Sequence, residues 1–204
     1  MMHHNFKLSH KGIFMGPHPL RLRGKGQSLR SFLLSLLDEF YTGQDYRFNV
    51  VDDLGLACLA TTAVCLHHHP HWQHIAPDQR ALVLATKNGS LLTDLTYQQG
   101  LDHGGRTSPR TFVQTLPNMA AGQVAACFMI RGEHFVLVQS GPKEQAIAET
   151  VTTCLTYGPA AACLTGWVEL TDEEALKVEL YIVYAEAKDQ AVDKVPLLAI
   201  NARS

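Results

Sequence analysis

No stretch of this chain approaches the ~20 consecutive apolar residues that a membrane-spanning helix needs, and neither sign of charge dominates. Its 17 Lys and Arg stand against 19 Asp and Glu, a formal net charge of −2, with a pI near 6.6. That balance leaves no electrostatic footprint for nucleic acid or for an anionic membrane surface. The five cysteines fall singly in apolar or helical surroundings with no CxxC pair. Such usage argues against zinc and dithiol redox motifs and points to reduced, buried thiols in a cytoplasmic protein. The opening Met1-Met2-His3-His4-Asn5-Phe6-Lys7 has neither an apolar h-region nor a small-residue cleavage site, so a secretory leader is not expected. Internal repeats, low-complexity tracts and interdomain linkers are also missing. One domain over residues 1–204 is expected, and at 204 residues it can bury ~70% of its unfolded surface.

What is present is an alternation of helical and strand-like segments. His4 to Met15 reads as an edge strand stopped by Gly16-Pro17-His18-Pro19, and Leu20 to Gln27 as a basic loop. Leu29, Phe32, Leu33, Leu36, Leu37 and Phe40 recur at intervals of three and four, which predicts an amphipathic helix closed by Gly43. Asp52 and Asp53 are candidate N-caps for a helix from Leu54 to about Leu66 that is apolar nearly all round and therefore buried on most sides. Ala81 to Thr86 reads as a central strand covered on both faces, and Ser90 to Gln99 as a short helix ended by Gly100. Beyond them a small-residue helix entered at Asn118, a strand at Phe135 to Val138, and a helix from Lys143 to Tyr157 capped by Gly158 are expected. Further strands are expected at Ala160 to Val168, Val178 to Tyr184 and Val195 to Ile200. The pattern describes an α/β layered domain.

Ser108-Pro109-Arg110-Thr111-Phe112-Val113-Gln114-Thr115-Leu116-Pro117-Asn118-Met119-Ala120-Ala121-Gly122-Gln123 resembles the helix-entry segment of the β-ketoacyl synthases, SP…F…TLPN…AG. Other blocks resemble the same family in the same order: Tyr46 to Leu56, Leu82 to Ser90, Ile130-Arg131-Gly132-Glu133, and Ala162 to Trp167. The resemblance covers residues 45 to 175 approximately. It implies a single thiolase-like half, a mixed five-stranded sheet covered by helices on both faces, with the long nucleophile helix in the middle. Full-length members pair two such halves, and the second carries two histidines that bind the acyl-thioester carbonyl. None of the 11 histidines here takes that role by motif.

A condensing enzyme needs a thiolate at a helix N-terminus and an oxyanion hole of backbone N–H groups. By the resemblance, counting from Gly132, the nucleophile position falls at Gly141 or, with a one-residue slip, at Ser140; Pro142 would then be the first helical residue. Glycine cannot be acylated, so a structural elbow is the main reading. A serine acyltransferase or thioesterase using Ser140 is the alternative, though Ser140 can equally cap the helix. Cys127, among apolar neighbours, reads as a core residue with the same alternative role. The histidine-rich stretch His67-His68-His69-Pro70-His71-Trp72-Gln73-His74 reads as a solvated connection whose imidazoles satisfy helix-end carbonyls; no metal or cofactor is expected. Arg21, Arg23, Lys25 and Arg30 form a basic patch that could meet an acidic acyl carrier protein.

By the same resemblance Phe112, Thr115, Leu116, Pro117 and Asn118 lie near a dimer seam. A lone half would expose an apolar layer, expected on the Asn118 to Met129 and Lys143 to Tyr157 helices, and such layers mark interfaces. The resemblance therefore implies a catalytically silent, chain-length-factor-like partner in fatty-acid, polyketide or aryl-polyene synthesis. It would associate with an active ketosynthase subunit or with itself.

Overall fold

A computed structural model describes residues 5–44, 46–104 and 108–186; the strand expected at Val195 to Ile200 lies outside these described residues. The chain begins with a meander of three short strands, β1 (Phe6–Ser9), β2 (Gly12–Met15) and β3 (His18–Leu22). Helices α1 (Leu29–Phe40) and α2 (Asp53–His67) follow, then strand β4 (Arg80–Thr86). Helices α3 (Leu91–Asp102), α4 (Pro109–Gln114) and α5 (Met119–Cys127) lead to β5 (His134–Val138). Helix α6 (Glu144–Thr156) and strands β6 (Ala162–Glu169) and β7 (Lys177–Tyr184) complete the described fold.

The strands form one mixed sheet in the order β3-β2-β1-β7-β6-β4-β5. Strand β4 runs parallel to β5 and β6, and every other neighbouring pair is antiparallel. The expected five strands are therefore seven. Five correspond to the expected sheet, and β2 and β3 extend it beyond β1, from a region whose Gly16, Pro17 and Pro19 read as strand breakers. Pro19 sits within β3 beside an irregularity at Ile13/Phe14, a position open to proline because β3 is an edge strand.

Helices cover both faces, unequally. On one face α1, α2 and α5 pack with Phe6, Leu8, Leu82, Leu84, Leu164 and Leu180 in the main core. On the other, α6 covers β4 and β6 through Ile147, Val151, Cys154 and Leu155, which meet Val83, Cys163 and Trp167. Helix α2 has no polar side: every residue from Leu54 to Leu66 is buried. Its amino end is capped as the sequence predicts, the Asp52 carboxylate accepting the Gly55 N–H at 2.9 Å. The enclosed helix is thus α2, whereas α6, the segment read as the central nucleophile helix, is amphipathic with an exposed outer side.

Smaller departures share one cause, that terminal hydrogen bonding sets helix ends. Helix α1 stops at Phe40, where Tyr41 N–H closes on Leu37 O, ahead of Gly43. Helix α3 continues through Gly100 to Asp102. Asn118 stands at the N-cap of α5 but offers no side-chain bond; only its carbonyl accepts, from Gly122 N–H at 2.9 Å. Helix α5 itself is buried against α2, so it is not the exposed layer anticipated for it.

Arg80 opens β4 as a buried cation with no carboxylate partner among the described residues. Its guanidinium donates to the carbonyls of Ile75 (3.0 Å) and Phe128 (3.1 Å) and lies over the Trp72 ring. It staples the loop before β4 to the end of α5. Gly166, in the middle of β6, has φ +154°, and a Cβ there would collide with the Glu179 carbonyl of β7. Gly166→Ala is expected to cost about 3 kcal/mol, which thermal unfolding would read as a Tm fall of roughly 6–12 °C.

Candidate functional site

In open α/β sheets, chemistry gathers beyond the carboxyl ends of the parallel strands. Here that rim is built by the turn after β4, the loop between β5 and α6, and the last residue of β6. The turn after β4 is held from two sides. Thr86 Oγ1 accepts the Gly89 N–H at 3.0 Å, and Glu169 Oε2 accepts the Lys87 N–H at 2.8 Å. Gly89 adopts φ +56°, and a Cβ on it would lie 2.9 Å from Pro117 Cβ. Ser90 Oγ donates to Leu116 O at 3.3 Å. The rim is therefore locked to the very segment whose sequence resembles the ketoacyl-synthase helix entry.

The elbow lies alongside. Gln139 N–H donates to Thr86 O at 2.9 Å, and Lys143 N–H closes a tight turn on Gly141 O at 2.8 Å. Helix α6 starts at Glu144 with Lys143 at its N-cap. Pro142 is thus not its first residue, and Ser140 does not cap it. No atom lies within 4 Å of a Cβ placed on Gly141, so glycine is not required there by crowding. Ser140 is exposed and no hydrogen bond from its side chain occurs among the described residues, which leaves its hydroxyl without an activating base.

Cys127 is at the other end of the sheet. The next two carbonyls, of Phe128 and Met129, bond Arg80 at the start of β4. Ser140 and Gly141 follow β5 at its finish. The structure therefore separates the two candidate nucleophiles. Burial pushes the Cys127 thiol up to about 11, a rise only partly opposed by hydrogen bonds with Tyr41 and Tyr46. Burial also raises Cys58, Cys65, Cys154 and Cys163. All five are free and buried, the opposite of the electropositive, accessible setting a reactive thiolate needs.

The remaining expectations resolve locally. Arg21 pairs with Glu39, Arg23 with Glu173, and Arg30 with Asp53, so the basic patch is largely neutralised rather than free. His68 Nδ1 bonds Val64 O at 3.0 Å, serving the end of α2 as the sequence predicts. His67 meets Phe40 edge-on, and His69 and His71 lie near Tyr184. No three His, Cys, Asp or Glu side chains converge as a metal site among the described residues. A groove of about 300 Å³ opens between α1, α2, α3 and α4. Its Arg30, Asp52, Thr93 and Gln114 side chains already bond within the protein.

Of the expected interface residues, Phe112, Leu116, Pro117 and Asn118 are exposed and Thr115 is half-buried. Helices α3 and α4 bury no residue at all. Arg80 and Glu169, which organise the two ends of β4, were not singled out from sequence. Each is a lone charged residue at the border of an apolar run, a weak signal but a visible one.

No protein-family profile and no curated protein matches the sequence. Solved structures do match in fold. One is a ketosynthase (ApeO) in complex with its chain length factor (ApeC) from Xenorhabdus doucetiae, with TM-score 0.54, 14% identity, and coverage of 71% of this chain and 63% of that one. The ishigamide ketosynthase/chain length factor gives TM-score 0.59 at 14% identity, over 93% of this chain and 62% of the other. The AntDE:AntF assembly, a type II polyketide synthase acyl-carrier protein in complex with its ketosynthase bound to the hexaketide, gives 0.53 at 8%, over 89% and 61%. The chain has a ketosynthase-like, thiolase-type α/β fold. It spans less than two thirds of the length of each of these solved chains.

Two outcomes follow for the thiols. Gly141→Cys, placed in open space, is expected to leave Tm within about 2 °C. At pH 8 it should show one thiol reactive to DTNB within minutes, where the parent protein shows none. Unfolded thiols ionise near ~8.5, whereas folded Cys127 stays protonated up to about 11. Stability is then fully present below pH ~8.5 and lost as pH rises toward 11, a decline that denaturant midpoints measured across that window would reveal.

Proposed function

We propose that this protein is a non-catalytic, ketosynthase-like accessory protein, acting in the manner of a chain length factor in fatty-acid, polyketide or aryl-polyene biosynthesis. The observation that carries the reading is the elbow. The fold is that of ketosynthases and their chain length factors, and the nucleophile position expected from the resemblance holds Gly141, with space for a side chain it does not have. Every cysteine is free and buried, and Ser140 makes no side-chain hydrogen bond among the described residues. A scaffold without an activated nucleophile supports a role through association, with an active ketosynthase subunit or a second copy. Phe112, Leu116, Pro117 and Asn118 would lie on the associating surface. The fatty-acyl carrier protein is a further candidate partner, though the paired arginines of the amino-terminal patch do not favour contact there.

Covalent labelling tests the assignment. A cerulenin-like or acyl-thioester probe is expected to leave Ser140 and Cys127 unmodified by intact mass and peptide mapping, and a stoichiometric adduct on either would overturn it. A pull-down from the native cell, coupled to light scattering, is expected to recover a ketosynthase that carries its active-site cysteine.

A further inference from the structure

In the histidine-rich stretch after α2, two imidazoles are accounted for by their surroundings. His68 Nδ1 meets Val64 O at 3.0 Å, and His69 Nδ1 lies 3.5 Å from the Tyr184 hydroxyl. His71 and His74 are exposed and make no side-chain hydrogen bond among the described residues. They stand on a 3₁₀ turn, Pro70–His74. With three residues per turn, side chains at i and i+3 eclipse one another. Trp72 and Ile75, three apart, point inward and are buried. His71 and His74, also three apart, therefore share the outer side, with ring centroids 6.5 Å apart. The backbone beneath them is fixed: Trp72 N–H donates to His69 O at 3.0 Å, and Ile75 N–H to Trp72 O at 3.2 Å. Arg80 braces the turn from within, Nε donating to Ile75 O at 3.0 Å and the guanidinium lying over Trp72. Its positive charge is thus on the buried side.

A neutral imidazole carries one free ring-nitrogen lone pair and is the commonest protein metal ligand. With metal–nitrogen bonds of ~2.0–2.1 Å, two imidazoles on one tetrahedral ion place their ring centres roughly 5 Å apart. The observed 6.5 Å exceeds this by an amount that small torsional changes in two exposed side chains take up. Beside His71 opens a cleft of about 340 Å³ whose walls include Gln79, Tyr184 and Glu186. Glu186 is the one charged side chain among the described residues lining it, a charge that favours a cation. No third His, Cys, Asp or Glu converges with the pair among the described residues, so water from the cleft would complete the coordination.

The geometry points to a two-histidine site, His71 and His74, for a late first-row divalent cation of the Zn²⁺ or Cu²⁺ class. Imidazole nitrogen suits copper, nickel and zinc, whereas magnesium and calcium take oxygen donors, so the ligand type itself selects the ion. An ion held by residues one turn apart fixes the connection between α2 and β4. The site lies at the end of the sheet opposite Gly141 and is independent of the accessory role proposed above.

Calorimetric titration of the untagged full chain with Zn²⁺, and electron paramagnetic resonance of the Cu²⁺-loaded protein, test the site. One ion per chain at micromolar affinity is expected, with a Cu²⁺ spectrum showing two coordinated nitrogens and no heat of binding from Mg²⁺. His71→Ala and His74→Ala are each expected to weaken binding about tenfold or more, a loss that even outer-shell partners of a metal cause. Both side chains are exposed, so each variant is expected to keep parental circular dichroism. His103→Ala, at an exposed imidazole that already bonds Gln99 O, is expected to leave binding unchanged. Saturating Zn²⁺ is expected to raise the Tm of the parent protein by about 5 °C and that of neither His71→Ala nor His74→Ala. Absence of saturable uptake below roughly 1 mM Zn²⁺ overturns the inference. Unchanged affinity in either variant also overturns it, because the uptake is then an adventitious ion only, held by other histidines.

Discussion

Helix α2 has no side it can show to water, and the architecture follows from that. From Leu54 to Leu66 it must be enclosed, which α1 and α5 do laterally while β1, β6 and β7 close the remaining side. Each leucine buried there contributes about 1.5–3 kcal/mol relative to exposure. Inside it Thr61 Oγ1 donates to Ala57 O at 2.8 Å, and at its ends Asp52 caps the amino end and the His68 ring meets a carbonyl at the other. Removing the enclosure at any point would strand a largely apolar cylinder in solvent. The small residues of α5, Ala120, Ala121 and Ala125 among them, are consistent with close helix approach.

Around this core the two sheet faces are covered unequally. The α6 side is polar outside and apolar inside, the ordinary state of a helix facing water. The β3 edge is blunted by proline and charge. Helices α3 and α4 bury nothing, and Phe112, Val113 and Leu116 in and after α4 are exposed.

The rim at the carboxyl ends of β4, β5 and β6 is braced by a small set of side chains. Thr86, Gly89 and Glu169 hold the turn, and Gly141 occupies an uncrowded elbow. The thiols that are present sit in apolar surroundings that favour the neutral form. Where the resemblance places a nucleophile there is no sulfur, and the sulfurs that are present are buried.

Periodicity and caps made most elements legible before any coordinates: α1, α2, α6, β4, β5, β6 and β7 stand close to where apolar spacing put them, because burial imposes those spacings directly. The amino-terminal meander was not legible, since Pro19 and Gly16 break strands unless the strand is an edge, and edge position is a property of the sheet. The ends of α1 and α3 were misread at Gly43 and Gly100, since terminal hydrogen bonds and not glycine placement decided them. Helix α5 was read as an exposed layer and proved to be core. The sequence by itself determined which segments are apolar, that the nucleophile position expected from the resemblance carries no thiol, and that an α/β arrangement results. Only the tertiary structure decided which helix is enclosed and that Cys127 and Ser140 lie at opposite ends of β4. Those depend on strand order and on which faces meet, and contacts between residues far apart in the chain leave no local periodicity to read.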